Sequence, residues 1–106
     1  MEGKANTFYV TAGQSTGTPG TRATAEGNGV TASGENSHAE GEGTRASGYA
    51  SHAEGSDTIA SDDYSHAEGG STTASGYASH AEGYRTEAIG SYSHAEGWVT
   101  KATRRS

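Results

Sequence analysis

The chain has 106 residues but no leucine, no cysteine and only one each of Phe, Trp and Met, against 17 glycines, so it lacks the side chains that fill a conventional two-layer core. Without cysteine there is no disulfide frame and no thiolate metal site, and a formal charge of −6 with no basic cluster beyond Arg104-Arg105 disfavours nucleic acid as a partner. No stretch is apolar enough to span a bilayer, and Met1 to Val10 lacks the basic-then-apolar layout of a secretion signal, which leaves a removed signal, an excised fragment or export by another route such as phage lysis.

In chain order, residues 1–8 form a lead, and a repeat domain of about seven coils fills residues 9–106. Its first period, 9–22, keeps only an apolar-to-small alternation and a glycine in Tyr9-Val10-Thr11-Ala12-Gly13. The second, 23–36, is a degenerate copy, Ala23-Thr24-Ala25-Glu26-Gly27. From residue 37 to 106, Ser-His-Ala-Glu-Gly recurs at Ser37, Ser51, Ser65, Ser79 and Ser93, fourteen residues apart each time. A second column follows in each period: Val30, then Thr44, Thr58, Thr72, Thr86 and Thr100 at position eight, with Ala32, Ala46, Ala60, Ala74, Ala88 and Ala102 at position ten. Gly34, Gly48, Gly76 and Gly90 hold position twelve, with Asp62 and Arg104 as exceptions. Each period thus reads as a short strand, a glycine turn, a second short strand and another turn, the glycines suiting positive φ.

Fourteen residues are too few for a helix pair, and no apolar heptad is sustained. Strand alternation places Ser and Ala of Ser-His-Ala-Glu on one face and His and Glu on the other, and it places Thr and Ala of Thr-x-Ala together. With the small residues inward, the expected fold is all-β: a parallel β-solenoid whose coils stack about 4.8 Å apart, giving seven coils a length of roughly 34 Å.

A core of Ala, Ser and Thr yields only a few kcal/mol per coil at about 25 cal/mol per Å², against roughly 1–2 kcal/mol per residue of backbone ordering, so a lone chain is expected to be marginal. Position nine, outward, varies freely as Arg45, Ile59, Thr73, Glu87 and Lys101. Positions two and four do not vary over five coils: His38, His52, His66, His80 and His94, with Glu40, Glu54, Glu68, Glu82 and Glu96. Such a strictly repeated outward pair is expected to face an equally repeated surface, the same column of a symmetry mate, and to form a His–Glu ladder along that seam. Five histidines also make the charge depend on pH between roughly 5 and 7. Tyr49 and Tyr77 at position thirteen alternate with Tyr64 and Tyr92 at position fourteen, which predicts rings packed over adjacent coils at one edge.

This repeat resembles the head repeats of YadA-like trimeric autotransporter adhesins, whose fourteen-residue unit has a Ser-Val-Ala-Ile-Gly core followed by Ser/Thr-x-Ala. Ser37-His38-Ala39-Glu40-Gly41 and its four later copies match the Ser, Ala and Gly, and Thr44-x-Ala46 and its equivalents match the second segment. The resemblance covers residues 9 to 106. It implies a left-handed parallel β-roll, a parallel homotrimer, and an extracellular role on the bacterial cell surface. In that role the chain is the structural and adhesive head of a fibre that binds host extracellular matrix or a cell-surface receptor, held to the membrane only through an anchor domain this chain lacks. His and Glu stand where the family has Val and Ile, which makes the seam polar. Val10 and Ala12 stay closer to the apolar version, as suits a terminal cap. Similar arrays are also a feature of phage and prophage tail-fibre proteins, so a virion spike or rod segment is the alternative, and a self-stacking extracellular fibre subunit a third.

His-x-Glu also has metal-ligand chemistry, and a threefold seam would set three histidines in each layer. Equivalent sites repeated along a chain, with no unique nucleophile, read better as a structural ladder than as a catalytic or cofactor site, so neither enzyme activity nor a cofactor or metal is expected. One inward threonine per coil argues against an ice-binding plane. Trp98 and Val99 are expected to cover an open coil end.

Overall fold

A computed structural model describes residues 22–104 of the protein, together with the backbone of the short strand β1 (Thr11–Ala12). Each fourteen-residue period folds into one coil with a five-residue strand and a two-residue strand. The long strands are β2 (Thr24–Asn28), β4 (His38–Glu42), β6 (His52–Ser56), β8 (His66–Gly70), β10 (His80–Tyr84) and β12 (His94–Trp98). The short ones are β3 (Thr31–Ala32), β5 (Arg45–Ala46), β7 (Ile59–Ala60), β9 (Thr73–Ala74), β11 (Glu87–Ala88) and β13 (Lys101–Ala102). They stack into two parallel sheets, one ordered β1-β2-β4-β6-β8-β10-β12 and the other β3-β5-β7-β9-β11-β13. The molecule is an all-β parallel solenoid of about six turns with fourteen-residue spacing. The expected first coil, 9–22, lies outside the described residues apart from β1, which pairs Thr11 with Ala25 and Ala12 with Glu26, in the same fourteen-residue register.

Register follows from the period. A shift of one residue would turn every inward side chain outward, and Ala39 pairs with Ala53 and Ala53 with Ala67. The alanines at positions three and ten are fully buried from Ala25 to Ala88. Ser37, Ser51, Ser65, Ser79 and Ser93 are buried beside them, as are Thr44, Thr58, Thr72 and Thr86. Val30 is the largest fully buried side chain. The inward hydroxyls find backbone partners at the turns, which removes most of the cost of placing them in the core. The Thr72 hydroxyl donates to the Glu68 carbonyl at 3.1 Å, and the Ser51 hydroxyl to the Gly48 carbonyl at 2.8 Å. Thr58 Oγ1 and Ser37 Oγ are buried without such a partner.

The corners differ from the reading of glycine as a positive-φ residue throughout. At position five glycine does have positive φ, +113° at Gly41 and +111° at Gly55, and a Cβ on Gly55 would run into the carbonyl oxygen of Gly69 in the next coil. At position twelve the φ values of Gly34, Gly48 and Gly76 are ordinary, and what excludes a side chain is the adjoining coil's backbone, the Asp62 carbonyl in the case of Gly48. The left-handed corners lie instead at positions seven and fourteen, largely in residues other than glycine: Asp57, Ser71, Arg85 and Val99, then Asn36, Ala50, Tyr64, Ala78 and Tyr92, all with φ between 53° and 62°. Each such residue costs of order 1 kcal/mol or more. At these corners the N–H donates to the preceding coil, Asp57 N–H to the Glu42 carbonyl and Tyr64 N–H to the Tyr49 carbonyl, both at 2.9 Å, whereas His52 N–H at the start of its strand donates to the Ser65 carbonyl of the next coil.

The expectation for Trp98 and Val99 needs correction. Trp98 ends β12 at position six, an outward position, and continues the column of Tyr84; it is 73% exposed, and Val99 is 56% exposed. Strand alternation directs the indole sideways, so it does not lie over the coil end.

Candidate functional site

Positions two and four flank the inward alanine of each long strand, so the two-residue period sends both side chains to the outer face. Parallel in-register pairing then sets His66 beside His52 and His80, and Glu68 beside Glu54 and Glu82. The structure brings all ten expected residues onto this one face: His38, Glu40, His52, Glu54, His66, Glu68, His80, Glu82, His94 and Glu96. From His38 to Glu82 their side chains are about one-third exposed, and at the last coil His94 and Glu96 open to 53% and 66%.

The imidazoles form a continuous stack. Successive centroids are 4.6–4.8 Å apart, and from His52 to His94 the rings lie within 4–6° of parallel. That separation is the strand spacing of the sheet itself. Within each coil Nε2 faces Oε1 of the glutamate two residues on, at 3.2 Å for His38–Glu40 and 3.3–3.5 Å for the four later pairs. Two contacts cross between coils, His80 to Glu68 Oε2 at 3.7 Å and His94 to Glu82 Oε2 at 3.8 Å. Each of those carboxylates thus lies between two imidazoles.

Proximity and hydrogen bonding separate here. His38–Glu40 has hydrogen-bond geometry, but Nε2 of His52, His66 and His80 is enclosed and has no hydrogen-bond partner, although a carboxylate oxygen lies 3.3–3.4 Å away. These are charge contacts with poor alignment. Burial, and then the flanking His52 and His80, hold the His66 pKa below the ordinary imidazole value. Glu68 is held below the ordinary carboxylate value by side-chain hydrogen bonds with Glu82 and Glu54, and less by His80, against the effect of burial.

Beside the glutamates, the bare glycines of position five leave a groove of about 1050 Å³ running from Glu26 and Gly27 to Glu96 and Gly97. One face therefore carries an unvarying imidazole stack, an unvarying carboxylate column and a groove floored by backbone. It can donate and accept hydrogen bonds and ligate cations, all in a repeat of one coil.

A second stripe lies at one corner. Tyr49, Tyr64, Tyr77 and Tyr92 pack edge to face, with centroids 5.5–5.7 Å apart and planes at 86–90°. The thirteen/fourteen alternation produces this, because a ring moved by one position in each second coil meets its neighbour edge-on. Thr44, Thr58, Thr72 and Thr86 all point inward, so no threonine plane faces outward in these coils.

The chain matches no family model, no curated protein and no solved structure. The cross-coil His–Glu contacts were not visible in the spacing, which fixes only that His and Glu share a face. Their signal was the unbroken fourteen-residue recurrence, which makes coil-to-coil neighbours of residues fourteen apart.

Proposed function

We propose that this chain is the head segment of a trimeric, surface-displayed fibre, in which three left-handed rolls run parallel, meet along the His–Glu face, and present their remaining surface to a host or substrate. The observation that carries this reading is the face itself. A groove runs beside the ladder for the length of the long sheet. An in-register partner fills that groove with a column of the same period. The core supports the same reading: among the described residues it is built from alanine, serine and threonine with one valine, and it buries little apolar area in a single chain.

Replacing all five histidines with valine tests the placement, since it restores an apolar seam of the kind the resembled family has. The trimer is expected to persist with a higher thermal midpoint. Conversion to a folded monomer would contradict the seam, and loss of folding would contradict the outward placement. Adhesion is tested by binding of the assembled rod to cells and to matrix-coated surfaces. A rod that binds none of them would leave only the structural role.

A further inference from the structure

The ladder contains a ligand set repeated between coils. The imidazole of one coil, its own glutamate and the imidazole of the next coil converge so that one ligand atom from each lies within 4.8 Å of the others, in His38–Glu40–His52, His52–Glu54–His66, His66–Glu68–His80 and His80–Glu82–His94. From this geometry we infer that the His–Glu face binds zinc-class divalent transition ions between coils, each held by two imidazole nitrogens and one glutamate carboxylate of a single chain.

Three observations carry the inference. First, the enclosed Nε2 atoms of His52, His66 and His80 have no hydrogen-bond partner, so ligation displaces no existing bond and satisfies a lone pair that the chain otherwise leaves unused. Second, the Nε2–Oε1 separations of 3.3–3.4 Å in those coils match the ligand-to-ligand edge of a tetrahedral zinc site, about 3.3–3.4 Å for metal–ligand bonds of 2.0–2.1 Å. Third, the carboxylate already spans two coils, with Glu68 Oε1 3.4 Å from His66 and Oε2 3.7 Å from His80. The two imidazole nitrogens must approach from at most 4.8 Å to about 3.4 Å, and the stacked rings must turn out of parallel so that their in-plane lone pairs converge on one ion. Two imidazoles and a carboxylate are a known zinc set that leaves a fourth position open, for water or for a group of a neighbouring chain. A dication also lies beside a column of carboxylates whose repulsion it offsets.

The stacking fixes a stoichiometry. Consecutive clefts share a histidine, and one Nε2 ligates one ion, so adjacent clefts exclude each other. Two ions per chain is the limit, in clefts that do not adjoin. Because each cleft belongs to one chain, the inference does not require the trimer.

The test uses the full chain without a polyhistidine tag, titrated with zinc chloride by calorimetry, with bound zinc counted after gel filtration. Wild type is expected to saturate at two zinc per chain with micromolar or tighter affinity, and X-ray absorption is expected to show imidazole nitrogen and carboxylate oxygen near 2.0 Å. His52→Gln with His80→Gln removes a ligand from every cleft and is expected to bind none. His38→Gln with His94→Gln leaves two clefts that share His66 and is expected to bind one. Circular dichroism checks that both variants keep the wild-type strand signal, as outward substitutions should. Absence of micromolar binding, saturation at five ions, or a zinc count indifferent to H52Q/H80Q would each overturn the inference. Chain mass in chelator-treated buffer reads the trimer separately, so failure of one reading is distinguishable from failure of the other.

Discussion

Glycine at position five makes the sharpest demand on sequence, and Gly55→Ala puts a magnitude on it. At Gly55 φ is +111°, and an added methyl would overlap the Gly69 carbonyl oxygen, part of the backbone of the next coil. No rotamer relieves that overlap; either the strand twists or the two coils separate. Forcing a side chain into this backbone region costs about 1–3 kcal/mol, and overpacking a close contact costs about 1–3 kcal/mol more. The expected loss is therefore roughly 2–6 kcal/mol, enough to lower the thermal midpoint of a domain this size by 10 °C or more. Gly29→Ala is the matched control. Its φ is also positive, +68°, but the nearest atoms to an added Cβ are 3.9 Å away, in ordinary contact. Asp57, Ser71 and Arg85 already adopt this conformation at the equivalent position, so Gly29→Ala is expected to cost about 1 kcal/mol. Urea unfolding followed by circular dichroism compares the two. If Gly55→Ala loses no more stability than Gly29→Ala, close backbone approach is not what selects glycine there.

Other consequences follow from the core, the corner and the ladder. Thr72→Val removes a hydroxyl that donates to the Glu68 carbonyl at 3.1 Å and should cost about 0.5–1.5 kcal/mol. Thr58→Val removes a hydroxyl with no partner and should be neutral or stabilising in the same unfolding assay; a reversed order would contradict the assigned bonds. Ala67→Leu places a large side chain at a fully buried position in a narrow core and should lose about 1–3 kcal/mol or more, so an unchanged urea midpoint would mean that the core has spare volume. Tyr64→Ala breaks two edge-to-face contacts, with Tyr49 at 5.7 Å and Tyr77 at 5.5 Å, for an expected loss of roughly 1–3 kcal/mol in thermal unfolding. For acid, both shifted groups act in one direction. His66 titrates below 6.5 in the fold, so its contribution is intact above pH 6.5 and erodes as pH falls through its lowered value. Glu68 titrates below 4.5, so its stabilisation is present above pH 4.5 and is lost below it. In metal-free buffer the thermal midpoint should fall steadily from pH 7.5 to pH 3, and a midpoint that rises on acidification would contradict both shifts.

Much of this fold could be read from the sequence because the repeat is strict. A period held without insertion fixes register, and alternation within Ser-His-Ala-Glu decides which residues face in. The buried alanines, serines and threonines follow from those two facts. Backbone conformation at the corners was less legible. Position fourteen holds Asn36, Ala50, Tyr64, Ala78 and Tyr92, types with no common preference for positive φ, and from Ala50 onward what they share is a backward hydrogen bond to the adjoining coil. Position seven carries a faint signal in Gly29, Gly43 and Asp57, lost again at Val99. Trp98 was misassigned because its size suggested a cover, whereas its place in the strand alternation decides its direction. In the ladder, the pairing of His with Glu was legible, but the enclosed Nε2 atoms and the bridging of coils by Glu68 depend on side-chain angles that spacing does not encode.

The association of three chains along the His–Glu face is the central claim, and chain mass tests it most directly. Multi-angle light scattering on the chelator-treated protein at neutral pH should give about three times the 10.7 kDa of one chain. A single folded species of 10.7 kDa would contradict it.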